Sequence, residues 1–415
     1  MERMRQGSGN CFIKYVTVAC LVVSYSISYA AVVTDGTVGW GGQLSGPKYI
    51  IPESIGTRSG NNLFQSFNTF NINTGESATF TGSSSIGNII ARVTGGASSS
   101  IDGTLSCGIL GANLYLINPA GVMFGKNAAL DLKGAFYVTT ADYIKFSDGG
   151  RYDARTPANP ILTSAPPSAF GFLTGNPSGV TVTGALLQVP TGKTLSIVGG
   201  DISITNGYLY APGGQINIVS AASAGEALLS SSGVNAGGFQ ALGTIDITQT
   251  DSTRKTINGI TLGNLDVSNQ SGGSGGIYIV GGKFVIDRGQ IFADSYGVPG
   301  GAGININVTG DMSITNGGLI TSDSYGKGNA GDINIKSGNL SISGHTFENT
   351  DIGSQDSLII GGIYSVAVSA GNAGNINVDT TNLSLTNAGR IFSWTEGTGN
   401  SGNIDIKASD STKIS

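Results

Sequence analysis

The chain has 415 residues, of which 67 are glycine and only 11% are charged, with a net charge of −5. Glycine stands at about twice its usual share of ~7%, and charge at under half its usual ~25%. That balance excludes a solvated disordered polyelectrolyte, and the lack of any basic patch excludes a phosphate-tracking nucleic-acid binder. A single histidine, His345, leaves almost nothing from which to build histidine metal clusters or histidine-dependent triads.

The first 30 residues have the layout of a secretory signal peptide. Arg3, Arg5 and Lys14 precede an apolar stretch from Tyr15 to Tyr29, and Ser28-Tyr29-Ala30 offers small residues for cleavage after Ala30. The stretch is broken by serines and too short to span a bilayer comfortably, which disfavours a membrane anchor. Thr17-Val18-Ala19 before Cys20 is a poor lipoprotein site. Cleavage removes Cys11 and Cys20, so the remaining Cys107 has no partner for an internal disulfide and reads as a small buried core residue.

No later run sustains a helical period. Ala221 to Ser230 is the one plausible short helix, and the mixture of Gly, Ser, Thr, Asn, Ile and Val elsewhere predicts short strands and tight turns. Phe64, Phe67 and Phe70 recur every third residue. Asn68, Thr69, Asn71 and Asn73 oppose a helix there, and the segment is expected to be irregular, pressing its rings onto the end of a stack as a cap. Ala78-Thr81, Ile89-Val93, Leu114-Ile117, Ala129-Leu132 and Ala135-Val138 read as strands. After Leu114-Ile117 the chain breaks at Asn118-Pro119-Ala120-Gly121. Proline fixes φ and donates no amide hydrogen, and Gly121 can take a positive φ. Arg151 to Pro167, with four prolines, reads as a surface loop.

From about residue 284 a unit of about 28 residues repeats. Phe284, Met312, Leu340 and Leu383 begin aligned copies, as do Ile304, Ile333, Ile376 and Ile404. One interval of about 43 implies an insertion within Thr346 to Gly362. Looser copies run through Leu195-Ile197, Ile202-Ile204, Ile216-Ile218 and Ile245-Ile247. Alternation places Ile304 and Ile306 on one face, which only stacking can bury, so the repeats predict an all-β solenoid of parallel coils. With coils ~4.8 Å apart, the expected rod is roughly 70–90 Å long. Asn206-Gly207, Asn316-Gly317 and Asn387-Ala388-Gly389 mark recurrent turns, at which stacked asparagines are candidates for a ladder. No cap is evident after Thr412-Ser415, which reads as the start of a further unit.

Gly60-x-Asn62-Leu63-Phe64-x-Ser66-Phe67-x-x-Phe70, Ile101-Asp102-Gly103 and Ala112 to Val122 together resemble the secretion domain of two-partner-secretion exoproteins, the filamentous haemagglutinin family. The family's Asn-Pro-Asn-Gly-Ile appears here as Asn118-Pro119-Ala120-Gly121-Val122. The resemblance implies a right-handed parallel β-helix with an N-terminal cap and extra-helical β elements. It divides the chain into a signal peptide (1–30), a secretion domain (31–175) and β-helix coils (176–415). It further implies a secreted, non-enzymatic exoprotein or adhesin without cofactor or metal. Such a protein passes the Sec machinery and then an outer-membrane β-barrel partner with periplasmic binding domains, and meets a host-cell or surface glycan receptor. Asn62, Leu63, Phe64, Asn118, Pro119 and Gly121 are the candidate secretion residues. Two other readings belong to the same architecture: a polysaccharide-binding or polysaccharide-cleaving β-helix, with Asn349-Thr350-Asp351 near His345 as the acidic candidate, and the stalk of a contact-dependent toxin.

Overall fold

The computed structural model describes residues 32–158, 160–230, 233–344 and 361–415. The predicted cleavage site, and Asn349, Asp351 and His345, lie outside them. The described chain is a parallel β-helix with three faces. On the first face, strand Asn62–Phe70 is followed in register by Asn88–Val93, Asn113–Ile117, Phe136–Thr139, Thr194–Gly199, Gln215–Ser220, Gly276–Gly281 and Gly303–Val308. The 11-residue strands Ile333–Ser343, Ile376–Thr386 and Ile404–Ile414 complete it. Those three long strands also serve the second face, where the corner straightens.

The third face carries Lys48–Pro52, Ser77–Thr81, Thr104–Cys107 and Ala129–Asp131, then a second run from Leu186–Gln188 to Arg390–Thr395. The repeats sit in the expected register: Ile304 pairs with Ile333, Ile333 with Ile376 and Ile376 with Ile404. Met312 pairs with Phe284 and Leu340, and Leu340 with Leu383. Interior residues such as Leu63, Ile89, Leu114, Phe136, Ile197, Ile218, Ile279 and Ile306 form one continuous buried core along the axis. Burial of such side chains stabilises by roughly 1.5–3 kcal/mol each, and a coil alone offers no partner for them.

The stack is shorter than expected. Eleven first-face rungs at ~4.8 Å span about 50 Å, because residues 140–179 and 221–243 leave the helix at the corner between the first and second faces. They form an antiparallel sheet in the order Arg151–Asp153, Tyr143–Phe146, Pro167–Phe172, Gly225–Ser230, Gly233–Asn235. This sheet lies over the outer side of the first face. Ile144, Phe146, Tyr152, Phe170 and Ala227 bury themselves against Phe64, Ile90, Tyr115 and Val198. The first-face strands beneath it, from Asn62–Phe70 to Gln215–Ser220, are therefore covered on both sides, which explains their mostly apolar runs.

Two sequence expectations are corrected. Ala221 to Ser230 contains a strand, Gly225–Ser230, because Pro167–Phe172 supplies its backbone partners. The Phe64-Phe67-Phe70 segment is regular strand, Asn62–Phe70, with a bulge at Asn68: opposite it, Val33 pairs with Thr69 while Thr34 pairs with Phe67. Phe64 points outward, and the bulge turns both Phe67 and Phe70 inward, with ring centroids 4.9 Å apart. The cap is made instead by Val32–Asp35, Gly41–Gln43 and Thr57–Ser59, which pair antiparallel at and beside the outer edge of Asn62–Phe70.

The turn asparagines adopt the left-handed conformation, with φ of 52° at Asn206 and Asn316 and 49° at Asn387. The side-chain ladder runs elsewhere, up the first face: Asn334 donates to Asn305 at 3.1 Å and Asn377 to Asn334 at 2.8 Å. Cys107 is buried.

Candidate functional site

The six candidate residues fall into two places at opposite ends of the first-face strands. Asn62, Leu63 and Phe64 open the first rung, and their alternation sends each to a different layer. Leu63 enters the interior core. Phe64 lies beneath the extra-helical sheet, its ring 5.0 Å from Tyr152 and 5.8 Å from Phe146. Asn62 is 1% exposed and fully used. Its Nδ2 donates to the Thr163 and Ala165 carbonyls at 2.9 and 2.7 Å, and its Oδ1 accepts from Asn88 at 2.9 Å. Asn88 accepts in turn from Asn113 at 3.1 Å, and Asn113 accepts the Ala135 amide at 3.0 Å. A short asparagine ladder thus fastens the proline-rich loop to the first three rungs. Loop carbonyls left without such donors would cost about 1–3 kcal/mol each if buried.

Asn118, Pro119 and Gly121 form the corner after Asn113–Ile117, roughly one strand length (~17 Å) from Asn62. Asn118 is fully buried. Its Nδ2 donates to the Ala97 carbonyl and to Ser99 Oγ, both at 3.0 Å, and its Oδ1 accepts the Ala120 amide at 2.9 Å. The Gly121 amide closes the turn on the Asn118 carbonyl at 3.0 Å. Gly121 takes φ 113°, while an added Cβ would meet only ordinary contacts, its nearest neighbour being the Gly179 carbonyl at 3.4 Å. The glycine is needed for its dihedral, not for room.

A second turn of the same kind lies beside the first. Val122 pairs with Val180, so Asn176-Pro177-Ser178-Gly179 stacks on Asn118-Pro119-Ala120-Gly121 one rung on. The two differ in how the chain arrives: Asn118 follows a helix strand and is buried, whereas Asn176 returns from the extra-helical sheet, is exposed and has φ 60°. Together they line a polar cleft of about 520 Å³, with Thr94 and Arg155 on its other walls. Arg155 is held by an ion pair to the buried carboxylate of Asp142, which also accepts the Leu173 amide at 2.6 Å. The sequence carried this repeated Asn-Pro-x-Gly, but the 54 residues between the copies conceal that they are neighbours.

Between the two places lies a residue that the sequence reading passed over. Arg92 is completely buried, on the outer side of the first face between Ser66 and Ile117. Its Nε donates to Ser66 Oγ at 2.8 Å, and Nη2 donates to Thr37 Oγ1 at 2.8 Å and to the Pro157 carbonyl at 3.0 Å. Nη1 donates to the Asp153 carbonyl, and the guanidinium stands 4.1 Å from the Tyr152 ring centre. Burial pushes the Arg92 pKa down from its ordinary value, against the pull of Tyr152, Asp35 and Asp153. Asp35 completes the network. Burial alone would raise its carboxyl, but hydrogen bonds from Ser66, Thr94 and Thr37 hold it below the usual range. Cap, first rungs and extra-helical sheet meet on this one cation. The clue in the sequence was a charge inside the apolar strand Ile89-Ile90-Ala91-Arg92-Val93, which demands buried partners.

The arrangement presents turns, a cleft and a buried polar lock. Among the described residues no group of three or more His, Cys, Asp or Glu side chains could hold a metal ion. The family model described as the TPS secretion domain matches residues 30–279. Among solved structures, the chain is similar to the HMW1 secretion domain from Haemophilus influenzae, at 14% identity and a TM-score of 0.40 over 88% of this chain and 96% of that one. No curated protein matches.

Proposed function

The chain belongs to the TPS secretion-domain family and is a secreted protein exported through the outer membrane by two-partner secretion; on that premise we propose that its N-terminal coils are both the export signal and the nucleus on which the rod folds. Its partner is the family's outer-membrane transporter, and the periplasmic domains of that transporter read the stacked Asn-Pro-x-Gly corners. The observation that carries this reading is the cleft itself. Two Asn-Pro-x-Gly corners on adjacent rungs, with the first asparagine buried and the second exposed, line a single polar opening. Asn62, Leu63 and Phe64 serve the nucleus, because their contacts hold the first rung against the cap and the loop. Delivery to the periplasm by the Sec machinery, through the signal within residues 1–30, belongs to the same proposal.

The test is co-expression with the transporter and comparison of periplasm with medium. The double variant Asn118→Ala, Gly121→Ala is expected to accumulate in the periplasm, and Asn176→Ala, Gly179→Ala to reduce release as well. Undiminished secretion of both would sink the export role. Release of the variants in a protease-sensitive form would reassign the corners to folding alone. Once outside, the rod acts as an adhesin whose receptor is a surface glycan, a reading favoured by the aromatic third face described next.

A further inference from the structure

Outward positions on the third face form a column at one register: Tyr210, Asp266, Phe292, Thr321, Tyr364 and Phe392 pair in succession. Three residues beyond Phe292 and Thr321, the isolated bridges Ser295–Ser324–Ala367 bring Tyr296 and Tyr325 side by side. Their rings stack with centroids 4.8 Å apart and planes within 10°. Tyr325 remains 41% exposed and Trp394, two rungs on, 54% exposed. The short antiparallel hairpin of Thr256–Ile257 and Ile260–Thr261 stands beside Phe292 and Thr321 in this column.

Beside the tyrosine stack opens a cavity of about 310 Å³ lined also by Asp266, Phe292, Asp294 and Asp323. Asp294 and Asp323 are each only 8% exposed. One oxygen of each is engaged. Asp294 Oδ1 accepts the Asp323 amide at 3.1 Å and Thr321 Oγ1 at 3.4 Å, and Asp323 Oδ1 accepts the Val366 amide at 2.8 Å. The second oxygen of each has no hydrogen-bond partner among the described residues. Both carboxylates border the same opening. Burial pushes Asp323 up to about 7, and burial together with the Asp323 carboxylate pushes Asp294 well above its ordinary value. Near neutral pH these groups can therefore donate as well as accept.

We propose that this third-face cavity binds one residue of a neutral glycan chain, with the tyrosine stack against the C–H face of the sugar and the free oxygens of Asp294 and Asp323 on its hydroxyls. A pyranose offers an apolar face and a polar rim, and the cavity offers the matching halves. Its volume sits at the small end of the usual ligand range of ~300–1,000 Å³. The aromatic column continuing through Phe292, Tyr364 and Phe392 provides platforms for neighbouring residues of a polymer. Polyanionic glycans are disfavoured by the buried acids and by the net charge of −5. A bare cation would leave the aromatic wall unused, and among the described residues no group of three or more His, Cys, Asp or Glu side chains could hold a metal ion. An extended peptide would find no free edge, since the strands around the cavity are paired on both sides.

The site rests on the adhesin reading, and the export reading stands or falls separately. The purified full chain, taken from whichever compartment holds it, is applied to an array of immobilised neutral, sialylated and sulfated oligosaccharides. Binding to neutral oligosaccharides is expected, falling at least tenfold in Tyr325→Ala and persisting in Tyr325→Phe, which keeps the ring face. Tyr325 is exposed, so its truncation leaves the core intact, and unchanged circular dichroism verifies this. No neutral binding, binding confined to anionic glycans, or equal binding by Tyr325→Ala would each overturn the proposal. So would calcium binding at the two aspartates, measured by calorimetry, with no glycan binding.

Discussion

Replacing Arg92 by Met removes a buried charge while keeping an unbranched side chain in its place. Four hydrogen bonds disappear with it, to Ser66, Thr37 and the carbonyls of Asp153 and Pro157. The Asp35 carboxylate stays behind, deprived of its nearby cation. Breaking a buried charge network by deleting one member costs about 3–5 kcal/mol. At 1.4 kcal/mol per tenfold, that shifts the local folding equilibrium roughly a hundred- to several-thousand-fold. The loss should be local, since a stacked rod couples each rung only to its neighbours. The chain contains two tryptophans, and they separate the ends. Trp40 lies in the cap, its amide bonded to the Ile55 carbonyl at 3.1 Å, and Trp394 lies near the last rungs. Urea titrations of Arg92→Met in a Trp394→Phe background follow the cap, and in a Trp40→Phe background the shaft. The cap transition should move to lower urea and the shaft transition should hold. A cap loss under about 1 kcal/mol, the scale of an exposed ion pair, would refute the lock. Equal shifts at both ends would refute the locality.

Three further outcomes follow from the same geometry. Asn62→Leu should cost about 1–3 kcal/mol per buried carbonyl left unpaired and expose the loop around Thr163 to limited proteolysis, read by mass spectrometry of the first cuts. Gly121→Ala should destabilise by about 1–3 kcal/mol, from its φ of 113° alone, measurable as a lowered melting temperature. The rungs around Asp294 and Asp323 should become more stable on acidification. Their folded pKa values are raised, so the stabilisation is complete below the ordinary carboxyl range near 3.8 and is lost as pH rises towards about 7. Hydrogen exchange of the Val366 amide, corrected for intrinsic rate, should therefore show greater protection at pH 5 than at pH 8.

The sequence disclosed the architecture where one physical rule acted alone. Ile304, Ile333, Ile376 and Ile404 could be aligned by eye because each fills the same interior slot. The signals failed where two rules met. The spacing of Phe64, Phe67 and Phe70 looks aperiodic because a bulge at Asn68 resets the alternation. Gly225–Ser230 is a strand only because Pro167–Phe172, some 60 residues earlier, lies alongside. Arg92 stood in plain view within a strand, yet its partners come from positions as far away as Pro157. The corner at Asn118 was legible as a turn. That its amide nitrogen holds Ala97 and Ser99 was not, since those contacts cross between rungs.

Three corners between the first and second faces are glycine pairs: Gly95-Gly96, Gly199-Gly200 and Gly281-Gly282. In the last rungs the corner disappears into a continuous strand. A self-similar rod offers a partner many equivalent grips, and any one of them could slip to the next. The proline corners at 119 and 177 break that translational symmetry at a single height. They give the rod an address, so that a protein reading it finds one position and one orientation along an otherwise uniform axis.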